Sequence, residues 1–292
     1  MRKKASIIST IVFIIILLVG LSVMLYPIVS DWWNSKAQSL AVSSYNASVA
    51  QLDNGETERL FAEAQAYNRK IAGINSPFIN YDSVPGYEDI LNISETGIMG
   101  YISIPVIKVE FPIYHGTSAE VLNVAAGHLQ GSSLPVGGID THAVISAHRG
   151  LPSAKLFTDL DKLVVGDTFT INVLDRILTY EVEEILIVKP EEVDKLAIVP
   201  EKDYVTLMTC TPYGVNTHRL LLRSHRIETV YSHDVKVVAD AVQVDPMLVV
   251  PLLSAPLVIG LIGFWIFGEK KRKRIVPNRD MVSKLLEKKE GD

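Results

Sequence analysis

A single cysteine, Cys210, occurs in the 292 residues, within Thr206-Leu207-Met208-Thr209-Cys210-Thr211-Pro212-Tyr213-Gly214-Val215-Asn216-Thr217-His218-Arg219. With no second cysteine an intrachain disulfide is impossible, so the thiol is either a small buried hydrophobe or a reactive group. Its surroundings favour reaction. Residues 204–209 are β-branched and apolar, Pro212 and Gly214 supply turn chemistry, and Leu220-Leu221-Leu222 between Arg219 and Arg223 read as a returning strand. Residues that flank a hairpin loop face each other about 5 Å apart, so Arg219 would stand beside Cys210 if both side chains take the same face. A fixed cation next to a thiol favours the thiolate, the nucleophilic form.

A cysteine nucleophile is usually served by a histidine. Of the seven present, His148 is the best placed, because Ala143-Val144-Ile145-Ser146-Ala147 reads as a buried strand and His148-Arg149-Gly150 follows at its end. His115 and His128 lie in turns and read as structural; His142 opens the strand that His148 ends; His218, His225 and His233 have no clear partner. A metal site built on Cys210 would show close pairs of the C-x-x-C or H-x-x-x-H kind, and the sequence has none, so no metal or cofactor is expected.

The elements that must carry these residues are mostly strands. Runs at 101–104, 106–114, 142–147, 168–174, 179–188, 204–209 and 220–227 are separated by turn signals, with short helical pieces near 154–160 and 191–198. Without regular βαβ alternation, this pattern predicts a mainly β fold, a closed or nearly closed barrel of seven or eight strands.

Ahead of the strands, residues 7–29 carry no charge and only Ser9, Thr10 and Ser22 as polar interruptions, enough at about 1.5 Å per residue to span a bilayer core. A second apolar run covers 247–267, followed by Lys270, Lys271, Arg272, Lys273 and Arg274, while Arg2, Lys3 and Lys4 precede the first. Both basic flanks fall on one side, which predicts two transmembrane helices, cytoplasmic termini, and residues from about 30 to 245 outside. Between 31 and 73, Leu40, Val49 and Leu52, then Leu60, Ala64, Tyr67 and Ile71 recur at helical spacing with Gly55 between them. Two spacer helices that lift the domain off the membrane are expected. A loop with Pro77, Phe78, Tyr81, Pro85 and Tyr87 follows. The net charge of −5, with no basic stripe interleaved with aromatics, argues against a nucleic-acid partner.

The motifs resemble one family. Thr206-Leu207-Met208-Thr209-Cys210 matches the TLxTC signature of sortases, and its continuation to Arg219 is similar to the form in class C, the pilin-polymerising sortases. Ser146-Ala147-His148-Arg149-Gly150 looks like the family's histidine motif, and Gly127-His128-Leu129-Gln130-Gly131-Ser132-Ser133-Leu134-Pro135 resembles another class C block. The resemblance implies an eight-stranded sortase barrel and a cysteine transpeptidase of Gram-positive cells. Cys210 would attack an LPxTG-like sorting signal, His148 would protonate the leaving amine, and Arg219 would hold the substrate backbone and the oxyanion. A lysine of the next pilin subunit would then resolve the thioester. Two other functions fit the residues less well: a housekeeping sortase that anchors proteins to peptidoglycan, and a non-enzymatic membrane scaffold that keeps the barrel.

Class C members commonly carry a lid with an Asp-Pro-aromatic motif. Here Ser76-Pro77-Phe78 keeps the aromatic and lacks the carboxylate that would anchor to Arg219. Ser76, Pro77, Phe78 and Thr209 are expected as lid or substrate-contacting residues. The implied organisation is an anchor at 1–30, a helical spacer and lid loop at 31–96, the catalytic barrel at 97–230, a linker at 231–246, a second span at 247–268, and a basic tail at 269–292.

Overall fold

The computed structural model describes residues 2–93 and 95–230. The expected linker, second membrane span and basic tail lie outside the described residues.

Eight strands are present: β1 (Ile98–Ile104), β2 (Val109–His115), β3 (Ala126–His128), β4 (Thr141–Ser146), β5 (Thr168–Val173), β6 (Arg176–Val188), β7 (Asp203–Thr211) and β8 (His218–Ile227). They close into a barrel in the order β1-β2-β3-β4-β7-β8-β6-β5, with β5 paired back onto β1. The β2·β3 and β4·β7 ladders are parallel and the others antiparallel. The barrel is therefore the expected one. β3 spans only three residues, too few for any period-2 pattern to show in the sequence. The strand expected from 106 starts later, because residues 105–107 form a 3-10 turn that Lys108 closes in the left-handed region at φ 53.

Alternate residues fill the barrel: Ile102, Ile104, Phe111, Ile113, Ile145, Phe169, Ile171, Leu178, Val205, Leu207, Leu220 and Leu222 are buried together. A second apolar group lies on the opposite face of β4, β7, β8 and β6. It comprises Val144, Val188, Leu196 and Leu221, with Leu129, Leu186, Met208 and Phe78 packed against it. This part of the sheet is apolar on both faces, which is why 143–147 reads as a continuous apolar run.

The helices depart from the expectation. α1 (Arg2–Val49) is one helix of 48 residues that passes through Pro27 without a break near residue 30. Residues 30–49 contain neither Gly nor Pro to end it. α2 (Asn54–Ala72) starts only where Asp53 caps it, accepting the Glu56 amide at 2.7 Å. Neither helix is a free-standing spacer. The Tyr45 hydroxyl donates to the Met99 carbonyl at 3.1 Å and accepts the Leu174 amide at 2.8 Å. Phe61, Ala64, Tyr67 and Ile71 of α2 join the barrel core, and Asn68 brackets the Leu134 backbone with two bonds of 3.0 and 2.7 Å. The modest apolar face of α2 is thus a plug against the barrel, each large side chain contributing about 1.5–3 kcal/mol on full burial. Along residues 12–29 the side chains of α1 stay mostly exposed, and this is one helix long and apolar enough to cross a membrane.

Candidate active site

Cys210 and Arg219 are direct cross-strand partners in the β7·β8 ladder. Directly opposed residues point to the same face, so the condition left open by the sequence is met. That face is the outer one, shared with Thr206 and Met208 on β7 and with Leu221 and Arg223 on β8, while Val205, Leu207 and Leu220 point inward. On the other side β7 pairs in parallel with β4, Ser146 opposite Met208, and the Ala147 amide carries the ladder on to the Met208 carbonyl at 3.2 Å. Val144 and Ser146 lie on the same outer face as their partners Thr206 and Met208, and His148 follows two residues beyond Ser146, at the level of Cys210 two residues beyond Met208. His148, Cys210 and Arg219 therefore gather at one end of the barrel across three adjacent segments, all three partly exposed.

The guanidinium of Arg219 is aimed by its own loop. Its Nη1 donates to the Asn216 and His218 carbonyls at 3.3 and 3.2 Å, and among the described residues it has no carboxylate partner. Asn216 holds φ 60 and Gly214 φ 75, the left-handed conformations that turn the chain back between Cys210 and Arg219.

Both threonines of the TLMTC stretch tie β7 to β4. Thr206 Oγ1 lies 2.7 Å from His142 Nε2, and His142 Nδ1 lies 2.8 Å from the Ala197 carbonyl. The carbonyl must accept, so Nδ1 carries the proton and Nε2 accepts from Thr206. Burial pushes the His142 pKa down to about 4, which keeps this ring neutral. Thr209, expected to contact substrate, does not share the outer face of Cys210: it is buried, and its hydroxyl donates to the Ala147 carbonyl at 2.8 Å. An odd-numbered position on β7 points inward, so the bond fixes the residue next to His148 from inside the barrel.

Arg149 was not singled out in the sequence. It pairs with Asp161, and its guanidinium lies 5.9 Å from the centre of the Tyr213 ring, linking the segment after His148 to the hairpin between Cys210 and Arg219. Gly150 completes that contact; at φ 78, a Cβ there would sit 2.7 Å from the same ring.

The block at 127–135 supports the loop at Ser76-Pro77-Phe78. His128 is buried, with Nε2 2.7 Å from the Ser133 carbonyl and Nδ1 2.9 Å from the Tyr87 hydroxyl, and burial lowers its pKa to about 4. His115 is likewise buried, its ring nitrogens 2.9 and 2.8 Å from the Gly97 and Ile90 carbonyls, so both histidines hold structure together, as expected. Gly131, at φ 93, has the Pro77 carbonyl oxygen 2.7 Å from where a Cβ would stand. The loop rests on that glycine. Ser76 takes φ 55 and its carbonyl accepts from Ile79 and Asn80, which turns Phe78 onto the outer apolar group; the same group takes in Met208, two residues along β7 from Cys210.

Comparison with known proteins agrees with this architecture. The sortase domain model matches residues 102–244. Sortase C1 from Streptococcus agalactiae is similar in structure, with 46% identity, a TM-score of 0.59, and coverage of 65% of this chain and 99% of that one. A Clostridium perfringens sortase C, solved with the C-terminal cell wall sorting motif, has 42% identity and a TM-score of 0.58, covering 65% of this chain and 100% of that one. Sortase A of Streptococcus agalactiae serotype III (strain NEM316) is 32% identical over 117 residues, 39% of this chain, so the match spans about half (47%) of that relative. A closed eight-stranded barrel, a cysteine and arginine paired across one hairpin, and these neighbours lead to one conclusion: the chain belongs to the sortase family, in its class C.

Proposed function

We propose that the chain is a membrane-anchored cysteine transpeptidase that cleaves an LPxTG-like sorting signal and passes the acyl group to a lysine amine of a pilin subunit. What supports this reading is the direct pairing of Cys210 with Arg219 across β7 and β8, with His148 two residues beyond Ser146, the β4 partner of Met208. The Cys210 thiolate attacks the carbonyl carbon of the signal's Thr, and the Arg219 fork donates hydrogen bonds to the oxygen that becomes negative. The C–N bond breaks as His148 gives its proton to the departing amine, leaving a thioester on Cys210. An incoming amine then attacks the thioester, loses its proton to the histidine, and releases the thiolate.

Ser76, Pro77 and Phe78 act in this reading as a weakly held cover over the outer-face groove. The basic flanks of the two apolar runs put both termini in the cytoplasm and the barrel outside. The likeness to a sortase A supports a second reading, in which the accepting amine belongs to peptidoglycan.

The test is to incubate the full chain with an LPxTG peptide and two competing amines, a pilin-derived lysine peptide and a glycine-terminated peptidoglycan stem. Capture of the lysine peptide is expected. Preference for the stem would replace pilin assembly with wall anchoring, and full turnover by Cys210→Ala would end both readings.

A further inference from the structure

The three polar contacts that α1 makes as it leaves its apolar run all reach the catalytic side of the barrel. Asp31 Oδ1 accepts the Lys155 amide at 2.7 Å, Asn34 Nδ2 donates to the Ser153 carbonyl at 2.6 Å, and Gln38 Nε2 donates to the Val124 carbonyl at 2.7 Å. α1 is continuous through this stretch, so its rise sets a scale. Counted from residue 29, Asp31, Asn34 and Gln38 stand about 3, 7.5 and 13.5 Å along the axis, and Tyr45 about 24 Å. The headgroup layer on each side of a bilayer core is about 5–8 Å deep. Ser153 and Lys155 are therefore held at headgroup depth. Leu174, bonded to Tyr45 at the β5–β6 turn, is held far above it.

The low loop is the one that leaves His148. The Phe157 amide donates to the His148 carbonyl at 3.1 Å, and Gly150 and Arg149 meet Tyr213 at the tip of the hairpin that joins Cys210 to Arg219. Tyr213 and Val215 at that tip are 60% and 64% exposed, and Trp32 and Trp33 are exposed at the matching level of α1. Tyr and Trp are the residues that settle at a membrane interface. The charges suit the same surface. Across residues 149–162 Arg149 pairs with Asp161 while Lys155 and Lys162 share Asp159, which leaves the loop with one net positive charge.

Taking α1 as the membrane anchor of the preceding section, we propose that the catalytic end of the barrel lies against the bilayer surface. The contacts of Asp31, Asn34 and Gln38 hold it there, and the 149–157 loop and the Tyr213–Val215 tip rest among the lipid headgroups.

The full chain in a Cys210→Ala background, given one new thiol by Val215→Cys or by Asp175→Cys at the β5–β6 turn, is labelled with bimane. It is reconstituted into phosphatidylcholine–phosphatidylglycerol vesicles that carry a nitroxide on the choline headgroup. Quenching is expected to be several-fold stronger at position 215 than at 175. Adding Asp31→Ala, Asn34→Ala and Gln38→Ala together should shrink that difference. Equal quenching at both positions in chains that float with the vesicles would overturn this inference alone; failure to float would overturn it together with the anchor. An unchanged difference in the triple variant would overturn the role given to the three contacts. Cleavage of a soluble signal peptide by the unlabelled wild-type chain tests the transpeptidase reading separately.

Discussion

Thr209→Val replaces a hydroxyl by a methyl of nearly the same shape, so its effect isolates one hydrogen bond. Thr209 is 1% exposed and its Oγ1 lies 2.8 Å from the Ala147 carbonyl. Valine leaves that carbonyl without this donor, and a buried group so orphaned costs about 1–3 kcal/mol. For a domain of this size the loss corresponds to a drop in Tm of about 2–4 °C per kcal/mol. The bond also fixes the residue before His148, and a misplacement of about 1 Å between reacting groups can cost about a hundredfold in rate. The kcat for peptide cleavage should therefore fall well beyond what loss of folded protein explains, with KM little changed, and Thr209→Ser should restore both rate and stability. The measurements are a urea midpoint and a kcat-against-KM split on the same samples. An unchanged kcat in a destabilised Thr209→Val would refute the positioning role, and wild-type stability would refute the bond's contribution altogether.

Other perturbations separate the remaining roles. Arg219→Lys should be severely impaired, because a compact ammonium cannot reproduce the planar fork; near-wild-type rates would make Arg219 a structural residue. His148→Ala should be similarly damaged, and the rate of the wild type should follow a bell-shaped pH profile. Phe78 is half-buried, so its contribution to a closed loop is about 1 kcal/mol; Phe78→Ala should speed methanethiosulfonate labelling of Cys210 about fivefold. Ser76→Asp should slow that labelling, since Asp tolerates the φ of 55 found at Ser76 and adds a carboxylate for Arg219; no change in either variant would remove the lid. His128 and His142 are held at about 4 by burial, against 6.5 in an unfolded chain. As pH falls below 6.5 the unfolded chain takes up protons that the folded barrel refuses until about 4, so each histidine should remove about 2–3 kcal/mol by pH 4.5. Asp203, raised by burial, works the opposite way, and a urea midpoint that holds constant from pH 6.5 to 4.5 would contradict the histidine account. The proposed topology, with both termini in the cytoplasm, predicts that external protease on wall-stripped cells spares tags at each end; loss of a C-terminal tag would refute the second crossing.

Much of the candidate site was legible in the sequence, because its groups are delivered by local patterns. A lone cysteine at a strand end, a hairpin turn and an arginine on the return strand are separated by fewer than ten residues, and a strand-end histidine is announced by the apolar run before it. The barrel was readable for a related reason, since its longer strands are apolar, β-branched runs bounded by turn signals, alternating in burial along most of β6 and buried almost throughout along β4. The pairings that join distant segments were hidden. The sequence contains no sign that Thr209 would turn inward to Ala147, that Arg149 would lie against Tyr213, or that Asp31 and Asn34 would bind the loop beyond His148, contacts spanning 62, 64, 124 and 119 residues. The role of the two helices between 31 and 73 was hidden for a related reason. An amphipathic face states that something covers it, and only the closed barrel decided that the cover was its own core, so that a stretch whose composition suits a spacer became a brace. Residue types and short spacings thus determined the chemistry on offer, whereas the alignment of its parts, and the level at which α1 holds them, depend on long-range contacts, because hydrogen-bond partners far apart in the chain leave no periodic trace in either segment.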